Sequence, residues 1–88
     1  GKGVIQSYAT AVEWFLKAAN QGLAAAQYNL GNSYKSGKGV AVSNETSVEW
    51  YMQAASQGHA AAQYCLGIAF ETGKGVTQSY ETAVEWYM

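Results

Sequence analysis

The chain has 88 residues, 49% of them apolar, and a net charge of −1. That length suits one small domain with a packed core, and so even a charge leaves no electrostatic footprint for nucleic acid or anionic lipid. No apolar run approaches the ~18 residues of a membrane span, and a single cysteine, Cys65, excludes an intrachain disulfide.

The segment GKGV occurs at Gly1, Gly37 and Gly73, a period of 36 residues. Residues 1–36 and 37–72 are identical at 20 of 36 positions, and residues 73–88 match the first copy at 12 of 16. Identity at that level marks an internal repeat.

In chain order, the first helix is expected over 7–21. Ser7 is its N-cap, as Ser43 and Ser79 are in the later copies, because a serine oxygen accepts from an otherwise orphan backbone N–H. Tyr8, Ala11, Val12, Phe15, Ala18 and Ala19 fall on one helical face. Trp14 and Leu16 widen that face, so the helix touches neighbours on two sides. Gly22 ends it in the left-handed conformation, and Gly58 does the same one period later.

The second helix is expected over 24–36, with Ala26, Leu30 and Tyr34 on one face. Gly31 lies mid-helix, where glycine costs ~1 kcal/mol against alanine. Its recurrence at Gly67 predicts an approach too close for a side chain. Further helices follow over 43–57, 60–72 and 79–88. Asn44 and Ser47 stand where the other copies have tyrosine and alanine, which predicts looser packing in the middle hairpin.

Each period is therefore a helical hairpin that buries little alone, and stacked hairpins share a continuous core. The fold class is all-α, an α-solenoid of antiparallel hairpins. The chain divides into a partial repeat over 1–22, a complete repeat over 23–58 and a further repeat over 59–88 whose last helix lacks the A-A-x-Q-G ending. The apolar face of that last helix either pairs end to end with another copy or frays.

KSGKGV, Lys35 to Val40, invites comparison with a phosphate loop. That loop needs G-x-x-x-x-G-K-[ST] after a strand, with a hydroxyl to hold Mg²⁺. Here five residues separate Gly31 from Gly37, glycine follows Lys38, and the preceding element is a helix. The segment reads instead as a turn. Gly37 caps a helix, Lys38 faces the negative helix end, Gly39 turns the chain and Val40 returns to the core.

His59 and Cys65 do not make a metal site, which needs three or four ligands. His59 reads as a helix-start residue and Cys65 as a small, partly buried one. Glu13, Glu49 and Glu85 recur at the repeat period, as solvated faces would or as a recurrent bond to a neighbouring helix end. Trp14, Trp50 and Trp86 read as core or inter-repeat packing. No catalytic residue, cofactor or metal is expected, and the chain does not read as an enzyme.

A-x-A-Q-Y-x-L-G from Ala24, then G-K-G-V from Gly37, then V-E-W-Y from Val48 and A-A-x-Q-G from Ala54, resembles the Sel-one-like repeat, a relative of the tetratricopeptide repeat. The resemblance runs through the whole chain. It implies a right-handed superhelix that serves as an adaptor between proteins. The proline and aspartate common in that family's loop are missing here, and serine does the capping.

With Leu30 facing its partner helix, Tyr28, Asn32 and Lys35 point the opposite way at 100° per residue. Tyr64, Ile68 and Glu71 do so in the next copy. In a tetratricopeptide-like stack these positions line the concave side. They form the expected site, with the tyrosines as anchors and the varied positions tuning selectivity. The alternative is that the tyrosines only fill space between hairpins. The implied partner is a protein or peptide, with neither nucleic acid nor membrane insertion involved. The alternative at the level of function is a repeat segment of a larger regulatory or enzymatic protein whose activity lies outside these residues.

Overall fold

The computed structural model describes residues 7–87. The first GKGV copy and Met88 lie outside them. Five helices follow one another: α1 (Tyr8–Asn20), α2 (Ala24–Ser36), α3 (Asn44–Ala55), α4 (Ala60–Thr72) and α5 (Tyr80–Tyr87). No strand occurs among the described residues. The helices pack in sequence into a rod of 48 × 23 × 20 Å.

Local chemistry sets the helix ends. Ser7, Ser43 and Ser79 accept from the backbone N–H of Thr10, Thr46 and Thr82, each at 3.2 Å. α1 closes in a Schellman motif. The Leu23 N–H reaches the Ala18 carbonyl at 3.2 Å and the Gly22 N–H reaches that of Ala19 at 2.9 Å. Gly58 and His59 repeat the arrangement after α3.

The GKGV turn is more constrained than a helix cap. Gly37 has φ +78° as expected of the left-handed position. Gly39 has φ +84°, and a Cβ on it would also strike the Tyr8 backbone carbonyl. Gly75 stands in the same relation to the Asn44 carbonyl. Each turn therefore seats against the first turn of α1 or α3, which with α5 are termed the outer helices, α2 and α4 being the inner ones. Lys38 was expected at the helix end. Its ammonium lies 5.4 Å from the centroid of the Tyr8 ring, an aromatic partner one element further back. Val40 packs against the core as expected.

The core has two linked clusters. Val12, Ala19, Ala26 and Leu30 form the first. Val48, Tyr51, Ala54, Ala55, Ala62, Leu66 and Ala69 form the second. Leu30 and Leu66 are fully buried. Trp50 packs against the first cluster and Trp86 against the second, so these tryptophans join repeats as expected. Trp14 is 64% exposed, because no described residue supplies the cluster before it.

The middle hairpin is not loose. Ser47 is buried and donates to the Gly31 carbonyl at 2.7 Å, drawing α3 onto α2. The mid-helix glycines do mark close approach, and the neighbour is a ring. A Cβ on Gly31 would lie 2.5 Å from two carbons of Tyr51, and Gly67 stands in the same relation to Tyr87.

Candidate functional site

The six expected site residues lie on α2 and α4, away from the buried Leu30 and Leu66. Lys35, Tyr64 and Glu71 are exposed, and Tyr28, Asn32 and Ile68 are half-buried. Their partners make them unequal.

Tyr28 is held in a stack. Its ring centroid is 4.8 Å from that of His59 and 5.8 Å from that of Tyr51. His59 comes from the start of the next inner helix, where its Nδ1 also accepts from the Ala62 N–H at 3.2 Å. Tyr28 therefore fills the joint between hairpins. Tyr64, its counterpart, is 61% exposed, with the Tyr87 ring centroid 5.6 Å from its own.

The varied positions are tied to the outer-helix tyrosines. The Tyr51 hydroxyl donates to Asn32 Oδ1. One repeat later the equivalent acceptor has become Ile68, which cannot take that bond. Tyr87 donates instead to Glu71, one turn further on, at 2.7 Å. Burial pushes the Tyr51 phenol well above the usual range. The hydrogen bond to Glu71 pushes Tyr87 up to about 12.

Two grooves related by the repeat run beside these residues. Between α3 and α4, a cavity of about 30 Å³ is lined by Tyr51, Cys65, Ile68 and Lys74, with Lys35 of α2 closing it. The equivalent groove between α1 and α2 is about 270 Å³ and open, with Tyr8, Phe15, Asn29, Asn32 and Lys38 in the matching places.

Sequence reasoning assigned no role to Gln27. It is buried, and its Nε2 donates to the Ala19 carbonyl at 3.2 Å while its Oε1 accepts from Gln57 at 2.8 Å. Gln63 donates to the Ala55 carbonyl in the same way, at 3.1 Å. The available signal was a glutamine repeated inside an otherwise apolar stretch, AAAQY. Glu13, Glu49 and Glu85 are exposed. No group of three His, Cys or acidic residues able to hold a metal occurs among the described residues. No described helix is long and apolar enough to cross a membrane.

The Sel1 repeat family model matches residues 1–23, 24–59 and 60–87. The chain belongs to the Sel1 repeat family. Two solved structures share its architecture. A Sel1 repeat protein from Oxalobacter formigenes is 42% identical with a TM-score of 0.93 over 97% of this chain. A protective antigen present in uropathogenic Escherichia coli strains, displaying an SLR fold, is 49% identical with a TM-score of 0.95 over 99%. The chain spans 35% of the first protein's length and 19% of the second's. No curated protein matches. The fold is thus an all-α Sel1-repeat solenoid, and repeats of this family generally serve in protein interaction.

Proposed function

We propose that this chain is a protein-binding module. It docks a peptide or helix of a partner along the face formed by Tyr28, Asn32, Lys35, Tyr64, Ile68 and Glu71, without chemistry of its own. The observation that carries the reading is Tyr64, a large aromatic 61% exposed on a rigid helix beside the exposed Glu71. An exposed tyrosine on a fixed frame suits recognition, because it gives large contact area with little rotamer entropy to lose. Tyr28 supports that frame from within the hairpin joint, and Lys35 and Glu71 give the face one charge of each sign.

The test is affinity capture by the full-length protein, comparing wild type with Tyr64→Ala and with Glu71→Lys. Both residues are exposed, so thermal melting should change little. Loss of the same captured partner from both variants supports the face, and undiminished capture overturns it. A second reading has one observation behind it, the chain's small share of its neighbours' length. The repeats would then present or position an activity carried elsewhere in a longer protein. The flanking reading frame, and an assay of whatever it encodes with and without residues 1–88, distinguishes the two.

A further inference from the structure

The small cavity between α3 and α4 is built by elements from the middle of the chain. α2 supplies Lys35, and the turn after α4 supplies Lys74. It is also where the repeat departs most from itself. Residues 37–72 differ from residues 1–36 at 16 of 36 positions. Of the eight residues in that span that line the cavity, all but Val48 differ. Replacement is concentrated on this wall while the frame of the repeat is kept.

The lining sorts into a floor and a rim. Val48 and Ala69 are buried and Ile68 is half-buried, so the floor is apolar. Lys35, Asn44 and Lys74 are exposed and stand at the mouth. The hydroxyls in the wall are already committed. Ser47 donates to the Gly31 carbonyl at 2.7 Å, Thr72 to that of Ile68 at 2.8 Å, and Tyr51 to Asn32. That leaves the two ammonium groups and the Asn44 amide as the donors at the rim. None of the described residues that line the cavity is acidic. Two like charges therefore share one small space, a repulsion that a bound anion relieves. One repeat earlier, Lys38 lies over the Tyr8 ring at 5.4 Å. Asn44 stands at the place of Tyr8 and has no ring to offer Lys74. One repeat later, Glu71 stands at the place of Lys35, so the lysine pair is particular to this joint.

We propose that this cavity holds the C-terminal residue of a peptide. The terminal carboxylate lies between Lys35 and Lys74, with the Asn44 amide as a further donor, and a small apolar side chain rests on the floor of Val48, Ile68 and Ala69. The order of charge and apolar surface selects this ligand. An acidic side chain carries its charge at the tip and would drive it onto the apolar floor, which is costly. An inorganic anion would leave that floor unfilled. A volume of about 30 Å³ admits a group about the size of a water or a methyl, so alanine fits and an aromatic side chain does not. The peptide as source of the carboxylate rests on the protein-binding reading above. The two are tested apart, because this site is read through Lys35 and Lys74 and the capture experiment through Tyr64 and Glu71.

The test is a nuclear magnetic resonance titration of the ¹⁵N-labelled 88-residue chain with N-acetyl-Gly-Ala at constant ionic strength. The amides of Lys35, Asn44 and Lys74 should shift together and saturate. The C-terminal amide of the same dipeptide, which lacks only the charge, should bind at least about tenfold more weakly. Lys35→Gln and Lys74→Gln should each weaken the free acid by about tenfold. Both lysines are exposed, and circular dichroism verifies that each variant is folded. N-acetyl-Gly-Phe should bind more weakly than N-acetyl-Gly-Ala, and inorganic phosphate should not reproduce the shifts. Shifts that never saturate overturn the proposal, as does equal binding of acid and amide, or binding indifferent to both lysine variants. Phosphate binding as tightly as the dipeptide would make this a general anion site and overturn the assigned ligand, and so would equal binding of the phenylalanine dipeptide.

Discussion

The Tyr51 ring occupies the space that a side chain at Gly31 would need. The ring belongs to α3 and the glycine to α2, and the ring is 3% exposed with its hydroxyl bonded to Asn32. Alanine is the better helix former by ~1 kcal/mol. At this position that gain is outweighed, because a ring held on all sides cannot retreat and overpacking costs ~1–3 kcal/mol. Gly31→Ala should therefore lower stability by up to about 2 kcal/mol, several degrees in Tm for a domain of this size. Gly67→Ala makes the same clash with Tyr87, but that ring is 42% exposed on the last helix and can swing outward. Its effect should be smaller and can approach zero. Thermal melts of the two variants give the comparison, and equal losses would refute the ring argument.

Gly39 and Gly58 separate conformational strain from steric exclusion. Both have positive φ, +84° and +89°. A Cβ on Gly58 meets nothing within 4 Å, whereas one on Gly39 meets the Tyr8 carbonyl. Gly58→Ala should cost only the left-handed penalty, about 1–2 kcal/mol. Gly39→Ala adds a backbone collision that no side-chain rotation relieves, and should cost about 3 kcal/mol or more. Urea denaturation of both variants measures the gap.

What could be read from the sequence was local or periodic. The serine caps and the glycine ends need only neighbours a few residues away, so the helix bounds were legible. So were the exposed and buried sides of α2 and α4, which follow from Leu30 and 100° per residue. The contacts that cross between elements were not. Gly31 announced a close neighbour without naming Tyr51, although a glycine–tyrosine offset of 20 residues recurs at Gly67 and Tyr87. Tyr28 and Tyr64 look equivalent as letters. They differ because the His59 ring stacks on one of them from the following hairpin as Tyr51 flanks it, while the other has the Tyr87 ring beside it and stays 61% exposed. The aromatic face that Lys38 meets just past the end of α2 was not legible, because Tyr8 lies 30 residues earlier in the chain but beside it in space.

Gln27 ties α2 to both outer helices, bonding the Ala19 carbonyl at the end of α1 and Gln57 just past the end of α3. Gln27→Ala should cost about 2 kcal/mol, combining a lost buried hydrogen bond with the space left by the side chain. Gln63 is half-buried and makes one such bond, so Gln63→Ala should cost less. Amide exchange gives a second readout. Losing Gln27 should open the last turns of α1 and α3 together, whereas losing Gln63 should open only that of α3.

Alkaline pH should find the two outer-helix tyrosines. Tyr51 is raised by burial and Tyr87 is raised to about 12 by its bond to Glu71, both above the ordinary value of 10.0. A raised folded value means that the native chain holds the phenolic proton more tightly than the unfolded chain does. Their contribution is therefore complete below about pH 10 and declines as pH rises through the folded values. Stability measured against pH should fall above pH 10, and the fall should be shallower in Tyr51→Phe, which has no proton to lose there. That variant should also lose about 1 kcal/mol at neutral pH, from the bond to Asn32. Tyrosinate absorbance in the ultraviolet provides the direct check. One of the late-titrating phenols should disappear in Tyr51→Phe, and Glu71→Gln should bring Tyr87 back down, because the carboxylate that holds its proton is gone. Titration of Tyr87 at its wild-type position in Glu71→Gln would refute the assigned cause.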